Sequence, residues 1–473
     1  MIVRNTVYAT AGLIVAMLFF AEDNPITIIP TAAGYASVIW MLYRHWARTR
    51  ICIGENDIVI RRDTVFVAER TIPYNRIAAV NADRGIINRM FGTVRLKVNV
   101  NTSVNAFTSE ATLTFRREEA EEIYAELSEK IFGKARDERS RDPEGPKIPF
   151  TRKGIILHGL FGISSYQTLT MLTLLTYYII GSMYSERDPI SALIALAIAA
   201  AMNIVPLLFT VIKYVNFKIS RAGDVIYIQH GSLRKYRSSF HISKMNAVRT
   251  RSTFFTRIMK RAYIEAEVVG MDGSYGRRSK IRPMLCPLSR VSVLQEFMEA
   301  TIPEFIYPHS PKGQPLRAAI PLTLKAAAIS AIFIGAAAFI AMMALEALEE
   351  LGLGEEFGPE ITSAAVLAAM IAVAVSVIWI ILSTITKRFD AGDEMFLFKN
   401  GVLDHETVIM YYDKAQTVRI SSGPVTRMLG LARCEVAMLA TAGKRVTASG
   451  FFFERDLSVI MDRVRRRFTK KAQ

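Results

Sequence analysis

Long apolar runs alternate with mixed segments along the chain, and the runs come in pairs. Thr6–Ala21 and Pro25–Tyr43 are separated only by Glu22-Asp23-Asn24. Gly154–Tyr184 and Pro189–Ile212 flank Ser185-Glu186-Arg187-Asp188, and Ala326–Leu345 and Ile361–Ile385 flank a Glu-rich loop. About 20 apolar residues span a bilayer as a helix. The pattern therefore predicts six transmembrane helices in three hairpins, at 6–43, 154–212 and 318–385. The first run is short and has only Arg4 as a basic flank. Its recurrence as a hairpin argues for a helix rather than a leader peptide.

Between and after the hairpins the pattern changes to short alternating runs, and these repeat. Ile72–Val80 followed by Asn88-Arg89-Met90-Phe91-Gly92 matches Phe240–Val248 followed by Thr256-Arg257-Ile258-Met259-Lys260. Both match Met410–Val418 followed by Thr426-Arg427-Met428-Leu429-Gly430. Val80, Val248 and Val418 are 168 and 170 residues apart, and so are Arg89, Arg257 and Arg427. Strand-like runs end at His230-Gly231 and Asn400-Gly401, which are hairpin signals. Each unit closes on a helical stretch, at Arg116–Phe132, Ser289–Ala300 and Arg455–Phe468. Several strands followed by one amphipathic helix predict a small barrel or sandwich plugged by a helix, at 44–150, 213–317 and 386–473.

This order, two membrane helices, a β domain and a terminal helix, three times over, resembles the bacterial pleckstrin-homology-like membrane proteins. The resemblance covers nearly the whole chain. It implies three cytoplasmic PH-like β-barrel domains of seven strands, each with a C-terminal helix. It also implies a part in envelope maintenance or in protection against membrane-active compounds. Three features depart from a uniform repeat. Lys260 stands where the others have Gly92 and Gly430, repeat one lacks the turn glycine, and only repeat one has Pro73.

Charge orients the chain. The 473 residues carry a net +16, with 59 Lys and Arg against 43 Asp and Glu. The three hairpin loops hold Glu22, Asp23, Glu186, Asp188, Glu346, Glu349, Glu350, Glu355, Glu356 and Glu360 against one base, Arg187. By the positive-inside rule the termini and β segments face the cytoplasm of a bacterial cell, with the chain multi-pass in the inner membrane. The middle domain is the most basic. Arg234, Lys235, Arg237, Arg277, Arg278, Lys280 and Arg282 in it, and Arg465, Arg466 and Arg467 at the C-terminus, are candidate contacts for anionic headgroups or a partner. A base near an anionic leaflet contributes about 1 kcal/mol. The recurring Arg89, Arg257 and Arg427 suit either a structural turn or contact with lipid phosphate or the adjacent membrane helices. Arg76, Lys244 and Lys414 also align and read as surface charges.

No motif points to catalysis. There is no P-loop, no Gly-x-Ser-x-Gly and no His-Glu-x-x-His. The six histidines and the three cysteines (Cys52, Cys286, Cys434) lack metal-ligand spacing, so no cofactor and no metal is expected. No nucleic-acid motif is present either. The reading is a non-enzymatic membrane scaffold or binding protein that engages anionic lipid headgroups, a protein partner or further copies of itself as a homo-oligomer. The alternative is a transport or export component, with Gln167 and Asn203 as the polar groups in its helices.

Overall fold

The computed structural model describes residues 28–63, 67–100, 111–132, 150, 152–184, 194, 197, 204, 205, 207–268, 282–350, 354–440 and 443–472. Helix α1 (Ile28–Ala47) leads into six strands of the first repeat. These are β1 (Thr49–Ile53), β2 (Asp57–Asp63), β3 (Val67–Pro73), β4 (Ile77–Arg84), β5 (Thr93–Val100) and β6 (Ala111–Arg116). A five-residue helix α2 (Ile86–Met90) joins β4 to β5, and α3 (Arg117–Phe132) closes the repeat.

Helices α4 (Arg152–Phe161) and α5 (Ser165–Tyr184) precede the second repeat. Its strands are β7 (Lys218–Ala222), β8 (Val225–His230), β9 (Lys235–His241), β10 (Met245–Ser252), β11 (Arg261–Val268) and β12 (Met284–Arg290). Its helices are α6 (Phe254–Ile258) and α7 (Val291–Thr301). Strand β13 (Lys312–Gly313) precedes two long helices, α8 (Ala319–Glu350) and α9 (Gly354–Thr386). The third repeat has β14 (Arg388–Ala391), β15 (Met395–Asn400), β16 (His405–Tyr411), α10 (Pro424–Met428) between β17 (Ala415–Ser421) and β18 (Leu431–Ala440), then β19 (Gly443–Phe453) and α11 (Glu454–Ala472).

Two expectations are corrected. Six spanning helices are not found. Among the described residues two helices are long and apolar enough to cross a membrane, Leu316–Ala347 and Gly358–Thr386. The α4–α5 pair would add a third span, bent by 63° at the Gly162–Ser164 break. The described part of helix α1, which carries Pro30, Thr31 and Gly34 and closes on Arg44-His45, is not among them. The expected run 6–21 and most of 189–212 lie outside the described residues. Helices α8 and α9, at 1.5 Å per residue about 48 Å long, expose apolar side chains such as Phe333, Ile340, Met370 and Ile378. One polar contact, Ser330 Oγ to Ser376 Oγ at 2.5 Å, joins them.

Nor, among the described strands, is any set a closed barrel. Each repeat splits after its third strand, at the short 3₁₀ turns Tyr74–Arg76, Ile242–Lys244 and Tyr412–Lys414. The strands on either side of that turn belong to different sheets. The sheets run β1-β2-β3, β6-β5-β4-β9-β8-β7, β12-β11-β10-β16-β15-β14-β13 and β17-β18-β19. The fourth strand of one repeat thus pairs antiparallel with the third strand of the next, β4 with β9 and β10 with β16. A barrel would have paired these edges within the repeat; here the neighbouring repeat satisfies their backbone groups instead.

This pairing buries the joining strands on both faces. In β4, Val80 points into the first repeat's core while Ala79 points into the second's. In β10, Val248 joins the second core and Ala247 the third. The apolar run Ile77-Ala78-Ala79-Val80 is what a strand covered on both sides requires. The terminal helix of each repeat plugs its own core, through Ala120, Tyr124 and Leu127, through Leu294 and Phe297, and through Leu457, Ile460 and Val464.

Candidate functional site

The recurring arginine sits in a backbone corner. The N–H groups of Arg89, Arg257 and Arg427 donate to Gly85, Thr253 and Gly423 oxygens at 2.9, 2.9 and 2.8 Å, closing one helical turn each. The arginine carbonyls then accept from Gly92, Lys260 and Gly430 at 3.3, 2.9 and 3.0 Å. Those three residues have φ of 62°, 51° and 68°, the left-handed cap that favours glycine. Their own carbonyls receive Arg117, Val291 and Glu454 N–H, the first residues of α3, α7 and α11. The arginine followed three residues later by Gly92, Lys260 or Gly430 is therefore a corner that turns a hairpin and starts the terminal helix.

The side chains of the same corner do something else. Arg89 and Arg427 are exposed, and the apolar residues around them are not buried either. Met90, Ile258 and Met428 are 78%, 66% and 88% exposed, and Ile86, Phe91, Phe254, Phe255 and Val425 are exposed with them. Arg257 is half-buried. It lies 5.9 Å over the Phe254 ring and donates from Nη1 to His405 Nε2 at 2.5 Å. Burial, and then the charges of Arg257 and Lys399, push the His405 imidazole down to about 4, so at neutral pH it is the uncharged acceptor this contact needs.

Five contacts place the second corner and the Gly401 turn against the α4–α5 pair. The Phe255 ring is 6.0 Å from that of Phe161 at the end of α4, and Thr253 Oγ1 donates to Phe161 O at 2.8 Å. Phe254 N–H donates to Ser165 Oγ, at the start of α5. Asp404 accepts from Ser164 Oγ at 2.7 Å and from Ser165 N–H at 3.0 Å, capping the same helix. The glycine turns lie at this end too. Gly231 N–H donates to Val215 O, just past the helical segment 207–214, and Gly401 O accepts from Thr386 Oγ1 at the end of α9. Strand register carries the level sideways. Arg84 faces Lys235, which puts α2 beside the Gly231 turn, and Ser252 faces His405, which puts α6 beside the Gly401 turn.

The basic clusters expected from the sequence separate. Arg234 Nη2 pairs with the buried Asp83 across the first junction at 2.7 Å. Burial opposes ionisation of Asp83, but Lys97, Arg234 and Arg95 outweigh it and hold its pKa below the ordinary value. Arg237 lies over the Tyr124 ring at 5.9 Å, while Lys235 is exposed. Arg282 is turned inward to Glu265 (2.9 Å) and Glu267 (2.5 Å), beside Arg249 and Glu406. Arg277, Arg278 and Lys280 lie outside the described residues, as does Asn203. Arg465, Arg466 and Arg467 are exposed on the distal half of α11. There Arg463 donates to Gly392 O and pairs with Asp393 at 3.1 Å, in the turn at the opposite end of β15 from Gly401. Gln167 is exposed on α5. Among the described residues no cluster of His, Cys, Asp or Glu could hold a metal ion.

The apolar residues beside each corner arginine escape a reading that follows charge alone. Their signal is an apolar run in a tight connection between two strands, where polar residues are the rule.

Three strand-joined repeats, each with a corner helix and a plugging helix, the third following two long apolar helices, define a tandem PH-like protein with features of a membrane protein. The bacterial PH domain family model matches residues 7–131, 168–301 and 320–466, and the chain belongs to that family. No curated protein and no solved structure matches the chain.

Proposed function

We propose that this is a non-enzymatic, multi-pass inner-membrane binding protein whose PH-like repeats rest on the anionic cytoplasmic leaflet through their three corner helices, with both termini cytoplasmic. The supporting observation is the repeated pairing of an arginine with exposed apolar side chains at one end of the strand array, the end from which the apolar helices leave. Arg89, Arg257 and Arg427 meet headgroup phosphate, and Met90, Phe91, Phe255, Ile258 and Met428 enter the headgroup boundary. Each base contributes about 1 kcal/mol at such a surface, and each buried CH₂ about 0.8 kcal/mol. Three tips together hold the array down without a deep ligand pocket. Lys235 lies at the same level and adds to the field; Arg234 and Arg282 serve the junctions instead. Such an array suits a part in envelope maintenance or protection against membrane-active compounds.

The test uses the full chain in vesicles, with Cys52→Ser removing the exposed thiol and a bimane probe on Met90→Cys or Met428→Cys. Brominated anionic lipid should quench both probes. Arg89→Glu, Arg257→Glu and Arg427→Glu together should reduce quenching several-fold and remove its salt dependence. Probes that brominated lipid leaves unquenched sink the reading.

A further inference from the structure

The two junctions between repeats use one register. Ala79 faces Phe240 and Val80 faces Ser239 at the first; Ala247 faces Met410 and Val248 faces Ile409 at the second. Moving along the chain by the repeat offset carries each pair onto the next. Applied once more, the same rule needs a partner for β17 and a donor equivalent to β9 and β16. The chain has both, at opposite ends. Strand β17 has its free edge where β4 and β10 receive a neighbour, and β3 has its free edge where β9 and β16 insert. Among the described strands neither edge is paired.

Burial says the same. Strand β4 is buried at Ile77 through Asn81, and β10 at Met245 through Arg249, on both faces. In β17 the residues that would face the next core, Thr417, Arg419 and Ser421, are exposed. In β3, Val67 through Thr71 are exposed, whereas in β9 the equivalents of Ala68, Arg70 and Thr71 (Tyr236, Ser238 and Ser239) are buried. The plugging helices agree. Tyr124 on α3 is buried and donates to Ser239 of the incoming β9 at 2.9 Å. Seven residues into α11, as Tyr124 is into α3, stands Met461, and it is 42% exposed.

We infer that β17 of one copy pairs antiparallel with β3 of a second copy, continuing head to tail across chains the junction already built twice within each chain. The third junction sets Thr417 opposite Ile72, Val418 opposite Thr71 and Arg419 opposite Arg70. Arg419 then lies between Arg70 on β3 and Glu435, which faces it on β18, and that carboxylate offsets the repulsion between the two guanidinium groups. Met461 is covered by the incoming strand, as Tyr124 is by β9. Because the register is kept, every added copy keeps its corner helices at the same end of the array, so assembly is compatible with one membrane plane. Such a heterologous contact closes into a ring or grows as an open array, depending on the rotation per step. The contact does not depend on lipid binding by the corner helices.

Residues directly opposite in an antiparallel pair have Cβ atoms about 5 Å apart, so the register can be read by thiol chemistry. In native membranes carrying the Cys52→Ser chain, Thr71→Cys combined with Val418→Cys should cross-link on mild oxidation into multiples of the chain. Co-expressed, differently tagged single variants should cross-link only 71 to 418. Val67→Cys with Val418→Cys should give several-fold less product. In detergent, the wild-type chain should have the mass of two or more copies, and Arg419→Pro should reduce it to one. Absence of 71–418 product between chains, 71–71 or 418–418 product in equal yield, or a single-copy mass for the wild type overturns the inference. Should Arg419→Pro fail to fold, the cross-link register decides alone.

Discussion

At the residue scale the clearest case is the corner glycine. Gly92, Lys260 and Gly430 share a positive φ, and open space surrounds the Cβ position at both glycines. Only the backbone conformation opposes a side chain there, and a non-glycine residue in the left-handed region costs about 1 kcal/mol. Gly430→Ala should therefore lower stability by roughly 1 kcal/mol, and Lys260→Gly should raise it by a similar amount. Thermal unfolding of the detergent-solubilised chain measures both. The motif was legible in the sequence by its constant spacing. Its cause was not, because the spacing drew attention to the arginine side chain while the constraint belongs to the carbonyl and the residue three positions on.

At the scale of strands and helices, the junction ion clusters matter most. Arg249-x-Arg251 and Glu265-x-Glu267 have the alternation of a solvated strand face, and a single repeat would leave that face wet. The next repeat covers it. Arg249 and Glu267 are almost wholly buried and bonded at 2.7 Å, and Glu406 of β16 enters the same group. Breaking a buried pair by removing one partner costs about 3–5 kcal/mol. Glu267→Gln takes one carboxylate from Arg249 and Arg282, which keep Glu406 and Glu265 as partners; it should destabilise by about 3 kcal/mol, the lower end of that range, and chemical denaturation with and without the substitution measures it. Burial works against the Glu406 carboxylate, but Arg249, Arg251 and Arg282 outweigh it and lower its pKa. A depressed carboxylate stabilises above its unfolded value and loses that contribution as pH falls through the folded one. The junction should thus weaken only in acid, below the usual carboxylate range.

For the whole molecule, the decisive fact is that one end of the strand array holds the corner helices, the glycine turns and the feet of the apolar helices. If α8 and α9 form a hairpin through the membrane, thiol probes at Glu349→Cys and Lys312→Cys should react from opposite sides. An impermeant maleimide applied to intact spheroplasts should label only Glu349→Cys, and labelling of both or of Lys312→Cys alone refutes the orientation. Sequence by itself determined the repeat, its period, the order of strands and terminal helix, and the two long apolar helices, because each of these is a local periodicity or a copy of one. Among the described residues it overcounted the spanning helices, because the apolar content of the α4–α5 segment does not reveal the bend at 162–164. Which strand edges meet was decided only by the tertiary structure. A strand's side-chain alternation specifies which faces are buried, not whose backbone satisfies its N–H and C=O groups, and here the neighbouring repeat supplied the partner that a closed barrel would have found within itself.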